Sequence, residues 1–221
     1  MLEETHLDLK QIENSDHKFR LNLINSLTGV KPANLIGTQD HDNLNLAIIS
    51  SVVHLGSNPP LLGFIMRPKH EVRRDTYENI MSNGCFTVNC VHTSFIDKAH
   101  YTSAKFPKEI SEFDRCGFTP EYKDGFDAPY VKESELKIGL KLKESIPIQS
   151  NNTLMIVGEI QHIYINSAHL DERGYIQLAD LKTAGIGGLN SYYKLEKIGE
   201  FPYARVNETP DFNHEKTAST H

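Results

Sequence analysis

The spacing of apolar positions changes several times along this chain, and each change marks an element. Phe19, Leu23 and Leu27 recur every four residues and Gly29 follows as a stop, which predicts a helix within the first 28 residues. An apolar run at 33–38, a polar turn at 39–43 and a second run at 44–54 predict a β-hairpin. Residues 61–66 are continuously apolar between Pro59-Pro60 and Pro68, the pattern of a strand buried on both faces. Asp75 then supplies an N-cap with Glu78 three residues on as a capping box. Tyr77, Ile80 and Met81 share one face, and Gly84 ends the helix. Phe86, Val88 and Cys90 alternate with Thr87, Asn89 and Val91, so a strand follows directly.

Residues 93–129 are the least regular, with short helices expected near 96–99 and 111–116. A stretch of this length inside a compact domain is usually a functional lid or an interface element. Leu136, Ile138, Leu140 and Leu142 alternate with Lys137, Gly139, Lys141 and Lys143, a half-exposed strand. The β-branched run 153–165 is broken by Gly158, a position for a bulge or bend, while 175–178 and 191–195 are weaker strand candidates. Seven or eight strands, few helices and no βαβ rhythm predict a mainly β fold, an antiparallel β-barrel with peripheral helices.

Composition narrows the class. A chain of 221 residues and 25.0 kDa buries a full core, and no Pro/Gly/Ser-rich or charge-dense linker divides its middle, so one domain is expected. No apolar run approaches the roughly 20 residues that span a bilayer, which argues against a membrane protein. The first residues lack the basic start and apolar stretch of a signal peptide, which places the protein in the cytoplasm. The odd set Cys85, Cys90 and Cys116 has no CxxC spacing and reads as small core thiols. A net charge of −6 argues against nucleic acid as a partner. The histidines show no HExxH or paired Cys/His spacing, so no metal site is expected.

The basic residues matter locally instead. Arg67, Arg73, Arg74 and Thr76 bring guanidinium forks, a hydroxyl and a helix start into one short segment, as a phosphate requires. The alternative is a solvated basic face, and the carboxylate of Asp75 would compete for the same N–H groups. Ser50, Ser51 and Val52 end a strand where hydroxyls and backbone can bond the polar edge of a flat ring, or else are only solvated. Asn89 is either a ligand or a satisfied sheet amide. The Gly185-Ile186-Gly187-Gly188 run lacks a strand–turn–helix context and reads as a tight turn, with Tyr192 a candidate neighbour of the ring. No GxSxG elbow is present and no side chain is assigned a catalytic role.

Asn45-x-Ala47, Ser50, then Pro59-Pro60-Leu61, Arg67, and Arg74-Asp75-Thr76-x-x-Asn79-Ile80 follow one another in an order that resembles the flavin reductase-like family. The similarity continues through Phe86-Thr87-Val88-Asn89, Gly158-Glu159-Ile160 and Gly187-Gly188. Residues 99–106 and the tract to 129 stand outside the general pattern. The resemblance implies an FMN-binding split barrel over 21–206, between an N-terminal arm at 1–20 and a flexible tail at 207–221. It implies a homodimer with FMN at the subunit interface, and with the residue chemistry above the expected cofactor-binding set is Ser50, Ser51, Val52, Arg67, Arg73, Arg74, Thr76 and Asn89. The implied activity is an oxidoreductase that passes hydride from NAD(P)H to the flavin and on to free flavin, a small acceptor or a partner oxygenase. Hydride passes directly between the two rings, so the protein mainly positions them. The alternative is a non-catalytic FMN-binding electron carrier or flavin store. An oxidase of a pyridoxine-like phosphate would need a second phosphate cluster, and only one is visible.

Overall fold

The structure, a computed structural model, describes residues 4–41, 43–67 and 74–212. The N-terminal arm carries two short helices. In α1 (Leu9–Asn14), Asp8 and Gln11 cap each other reciprocally. In α2 (His17–Ser26), the Asp16 carboxylate accepts the N–H groups of Lys18 and Phe19. Neither helix buries a residue, so the four-residue spacing of Phe19, Leu23 and Leu27 marks a face that the chain leaves largely uncovered.

Gly29, at φ 71°, turns the chain into β1 (Lys31–Pro32), after which β2 (Asn34–Asp40) and β3 (Asn43–Ile49) form the expected hairpin, with Leu35 opposite Ile48. The second run does not continue to His54. It breaks at 50–52, and β4 (Val53–Ser57) pairs instead with β5 (Pro60–Met66). Next come α3 (Asp75–Asn83), β6 (Cys85–Cys90), α4 (Ile96–Tyr101), α5 (Glu112–Cys116) and the small pair β7 (Pro120–Glu121) and β8 (Tyr130–Val131). The long strands β9 (Leu136–Ile148) and β10 (Thr153–Ile165) follow, then β11 (Ala184–Gly187) and β12 (Ser191–Lys194).

Seven strands form one antiparallel sheet in the order β3-β2-β6-β9-β10-β5-β4. Its two edges, β3 and β4, are joined by three residues. A flat sheet of seven strands would separate them by about 29 Å, whereas the connection reaches at most about 15 Å. The sheet therefore curls until its edges face each other across a gap, which makes a split barrel. Inside lie Ile36, Phe64, Ile80, Phe86, Val88, Leu140 and Ile156, with the Phe64 and Phe86 rings edge to face at 5.6 Å. One of the two register shifts between β9 and β10 falls at Gly158, where a Cβ would strike the Phe86 ring, so the glycine permits both the bulge and the close packing.

Residues 93–118 pack on the outer face of β2 and β3. Phe95, Phe113 and Phe118 are buried there with Leu35, Leu46 and Ile186, and Phe95 meets Phe118 edge to face at 5.5 Å. The irregular segment thus has a core of its own.

Several expectations change. Arg74, not Asp75, is the N-cap residue of α3. The Arg74 carbonyl accepts the N–H groups of Tyr77 and Glu78, and among the described residues no side chain caps the helix and no capping box is formed. Asp75 and Glu78 lie in the first turn instead, where they complement the helix dipole. Strand β5 is fully buried only at Gly63, Phe64 and Met66, because one of its neighbours is the exposed edge β4. Residues 175–178 form no strand and carry one isolated bridge, Leu170 to Ile176. The glycine run is strand β11 up to Gly187, and only Gly188, at φ 59°, enters the turn. Cys85 and Cys116 are buried thiols, and desolvation pushes Cys90 up to about 12.

Candidate functional site

A buried polar network fixes the start of α3 against the β2–β3 hairpin. Asn45 donates through Nδ2 to Thr76 Oγ1 at 2.8 Å and to Thr38 Oγ1 at 3.3 Å. Asn79 donates to Thr38 Oγ1 at 3.3 Å and to the Asn43 carbonyl at 3.1 Å. Asn45, Thr76 and Asn79, three residues of the sequence motif, are therefore a brace, and the brace decides where Arg74 stands.

The outer edge of β3 is covered by side chains from the segment beyond β6. Glu112 Oε2 accepts the Leu46 N–H at 3.1 Å, and Thr102 Oγ1 accepts the Ile48 N–H at 2.9 Å. Alternate N–H groups of an edge strand point away from its neighbour, so the next position in this row is Ser50. There the cover stops and a cavity of about 490 Å³ opens, within the usual range for a small-molecule site. Across the gap, Ser51 Oγ accepts the Ile65 N–H at 3.0 Å and returns a bond to its carbonyl at 3.3 Å, tying the end of β3 to β5.

Of the residues expected from the sequence, Ser50, Ser51, Arg67, Arg74 and Thr76 line this cavity together. Val52 does not; it packs against the barrel core. Asn89 does not either. Fully buried, it donates to the Leu35 carbonyl at 3.1 Å and to Thr87 Oγ1 at 2.8 Å, and it accepts the Val131 N–H at 3.0 Å, so its amide is occupied in joining β2, β6 and β8. Arg73 lies outside the described residues.

The cavity floor is cationic. Desolvation, and then the nearby charge of Arg67, lower the pKa of Arg74. The Arg74 Nε is buried and has no hydrogen-bond partner among the described residues. A buried donor left without an acceptor is costly, and two guanidiniums brought together repel, so this end of the cavity is organised for an anion. Thr76 accepts from Asn45 and retains its own O–H to donate. On the opposite side Glu112 is pushed up, first by desolvation and then by Asp75, against the lowering effect of the Leu46 N–H.

The segment 100–112 supplies the wall that sequence reading left out, with His100, Thr102, Lys105, Phe106, Lys108 and Glu112 on the cavity. His100 Nδ1 lies 3.1 Å from the Tyr192 hydroxyl, which desolvation pushes up to about 12. Tyr192 is thereby brought next to a cavity residue through His100. The length of the irregular tract was the available signal for this wall. Nothing local announces that Glu112 meets Leu46, 66 positions away.

Residues 30–180 match the model of the flavin reductase like domain. The chain belongs to that family. Its fold superposes with a TM-score of 0.87 on a proposed flavin reductase with a split barrel domain from Shewanella frigidimarina NCIMB 400, at 45% identity over 91% of this chain and 100% of that one. A flavoredoxin of Desulfovibrio vulgaris (Miyazaki F) is 25% identical over 81% of this chain and 93% of that one, with a TM-score of 0.67. Nitrilotriacetate monooxygenase component B from Bacillus cereus, 23% identical over 91% of this chain and 100% of that one, shares the fold with a TM-score of 0.78.

Among the described residues, no helix is long and apolar enough to cross a membrane.

Proposed function

We propose that this family member is an FMN-dependent reductase that takes hydride from NAD(P)H and delivers electrons to free flavin, a small acceptor or a partner oxygenase. It would work as a cytoplasmic homodimer whose flavin lies where two subunits meet. The observation that carries the reading is the pair Arg67 and Arg74 at one end of the cavity, with the Arg74 Nε buried and lacking an acceptor among the described residues. A terminal phosphate supplies the acceptor that this geometry wants, through charge-assisted bonds at the start of α3. Thr76 would donate its hydroxyl to the same group, and Arg73, beside Arg74 in sequence, would extend the cluster.

The flavin, when bound, supplies the hydride-accepting ring. The chain's own residues position it. Ser50 presents hydroxyl and backbone at the end of β3, and Ser51 holds that end against β5, so the ring's polar edge would meet a fixed strand terminus. The cover of α4 and α5 keeps water from the β3 edge by using its N–H groups itself. Val52 serves through the barrel core and Asn89 through sheet pairing, so neither is given a side-chain contact with the cofactor.

The likeness to a flavoredoxin supports keeping one other reading, an electron carrier with the same pocket. The absorbance spectrum of the purified protein near the expected ~450 nm, followed anaerobically with NADH and NADPH, separates the two. Bleaching at a catalytic rate is the expected result. Bound flavin that stays oxidised would favour the carrier, and no flavin after added FMN would overturn the assignment.

A further inference from the structure

Beyond β12 the chain runs away from the body carrying large apolar side chains that touch almost nothing. Ile198 is 98% exposed, Phe201 89%, Tyr203 85% and Val206 97%. Unpartnered tails are normally poor in aromatic and β-branched residues, and this one is rich in them. Pro202 and Pro210 bar a long α-helix, and the arm is irregular but for one short 3-10 turn at Val206–Glu208. The start of the arm is anchored, since Glu200 pairs with Arg173 at 2.8 Å on the protomer's own 171–175 turn and with Lys197 at 2.5 Å. Its root is therefore fixed while its apolar side chains are presented outward.

The same chain displays a matching surface. Helix α2 with its C-cap Leu27 leaves Phe19 51%, Ile24 45% and Leu27 69% exposed, and Asn25 of that helix reaches the rim of the cavity. The protomer's own arm does not cover this face. An apolar extension and an uncovered apolar helix face on one chain are complementary in a two-fold exchange, in which each arm lies on the other subunit. Residues 196–212 span up to about 55 Å when extended, more than the ~40 Å width of a subunit of this size. These four side chains and Phe212, 67% exposed, with the surfaces they cover and counted for both arms, bury on the order of 2,000 Å², enough for a stable dimer.

Resting on the dimer reading above, we propose that residues 196–212 are an exchanged arm that docks on α2 of a second copy of this chain, beside that copy's cavity.

The chain contains no tryptophan, so Phe201→Trp places a single emitter on the arm. In the full-length protein its emission should be blue-shifted at micromolar concentration and move to the red on dilution, in step with the mass measured by light scattering. Ile198→Asp with Phe201→Asp should raise the dimer dissociation constant on the order of a hundredfold. Leu27→Asp at the C-cap of α2 should raise it at least ~10-fold, with far-ultraviolet dichroism unchanged in both variants. A dimer as tight as the wild type in the arm variant would overturn the arm while leaving the dimer standing. A wild-type monomer would overturn both. In either case the spectrum with NAD(P)H still decides the reductase reading by itself. A tryptophan whose emission ignores dilution but shifts on addition of a partner oxygenase would also overturn the exchange, by assigning the arm to another protein.

Discussion

The two walls of the cavity are built differently. On the β3–α3 side, Asn45, Thr38, Thr76, Asn79 and Asn43 bond to one another, so each polar group fixes the next. On the α4–α5 side, Phe95, Phe113 and Phe118 hold the segment by apolar burial, and Thr102 and Glu112 accept N–H groups of β3. The first wall is specified by hydrogen-bond geometry and presents the arginines. The second is specified by shape and brings exposed Lys105 and Lys108 to the rim. A scaffold can vary the second wall without disturbing the first, because apolar anchors tolerate repacking better than a satisfied polar network does.

The sharpest break between them is expected in ligand affinity. Arg67→Ala or Arg74→Ala should weaken FMN binding by about 1.5 to 3 kcal/mol, the range for hydrogen bonds to a charged group. Lys105→Ala should change it by under ~0.5 kcal/mol, as for an exposed charge. Titration by flavin fluorescence reads both. Equal losses from the two walls would remove the distinction, and unchanged affinity in both arginine variants would remove the anion site.

The brace should respond in stability more than in the chemistry of the pocket. Asn45→Ala leaves the buried Thr38 and Thr76 hydroxyls without their common donor and should cost about 2 kcal/mol, measured as a lower urea midpoint at unchanged slope. Flavin affinity should fall as well, since α3 and Arg74 are positioned through Thr76. A variant that lost affinity with full stability would make Asn45 a ligand instead of a brace.

This contrast also explains what could be read from the chain. Strands β2, β6, β9 and β10, and the helix ending at Gly84, announce themselves by period and by stop residues, because their cores are formed by neighbours in a regular repeat. Ser50, Arg67 and Arg74 were legible for a related reason. They lie at the ends of such elements, where polar groups interrupt an apolar run. Asn89 was legible as a polar residue in a strand but not as a structural one, since its three partners come from β2, β6 and the end of β8. The N-cap of α3 shifted by one residue because the Arg74 carbonyl, and no side chain, begins the helix. The second wall was illegible in its contacts, because Glu112 to Leu46 and Thr102 to Ile48 are long-range pairings that no local period encodes.

The smallest effect tests the charged one of that second wall's two polar anchors. Glu112 accepts the Leu46 N–H while buried enough, and near enough to Asp75, to have its pKa raised. A carboxyl whose folded pKa is raised binds its proton more tightly in the folded state. Wild-type stability should therefore fall as pH rises from the ordinary carboxylate value of 4.5 through the folded pKa, and level off above it. Glutamine keeps an oxygen for the Leu46 N–H and carries no charge. Glu112→Gln should match the wild type within about 0.5 kcal/mol near pH 4 and gain on it toward pH 8, whereas Glu112→Ala, which abandons the N–H, should be weaker by ~1 kcal/mol or more throughout. Urea midpoints of the three proteins across that range decide it. Parallel curves for wild type and Glu112→Gln would mean that the carboxylate is solvated despite its place on the cavity. The α4–α5 wall would then rest on its aromatic residues and Thr102, with Glu112 contributing only an interchangeable oxygen.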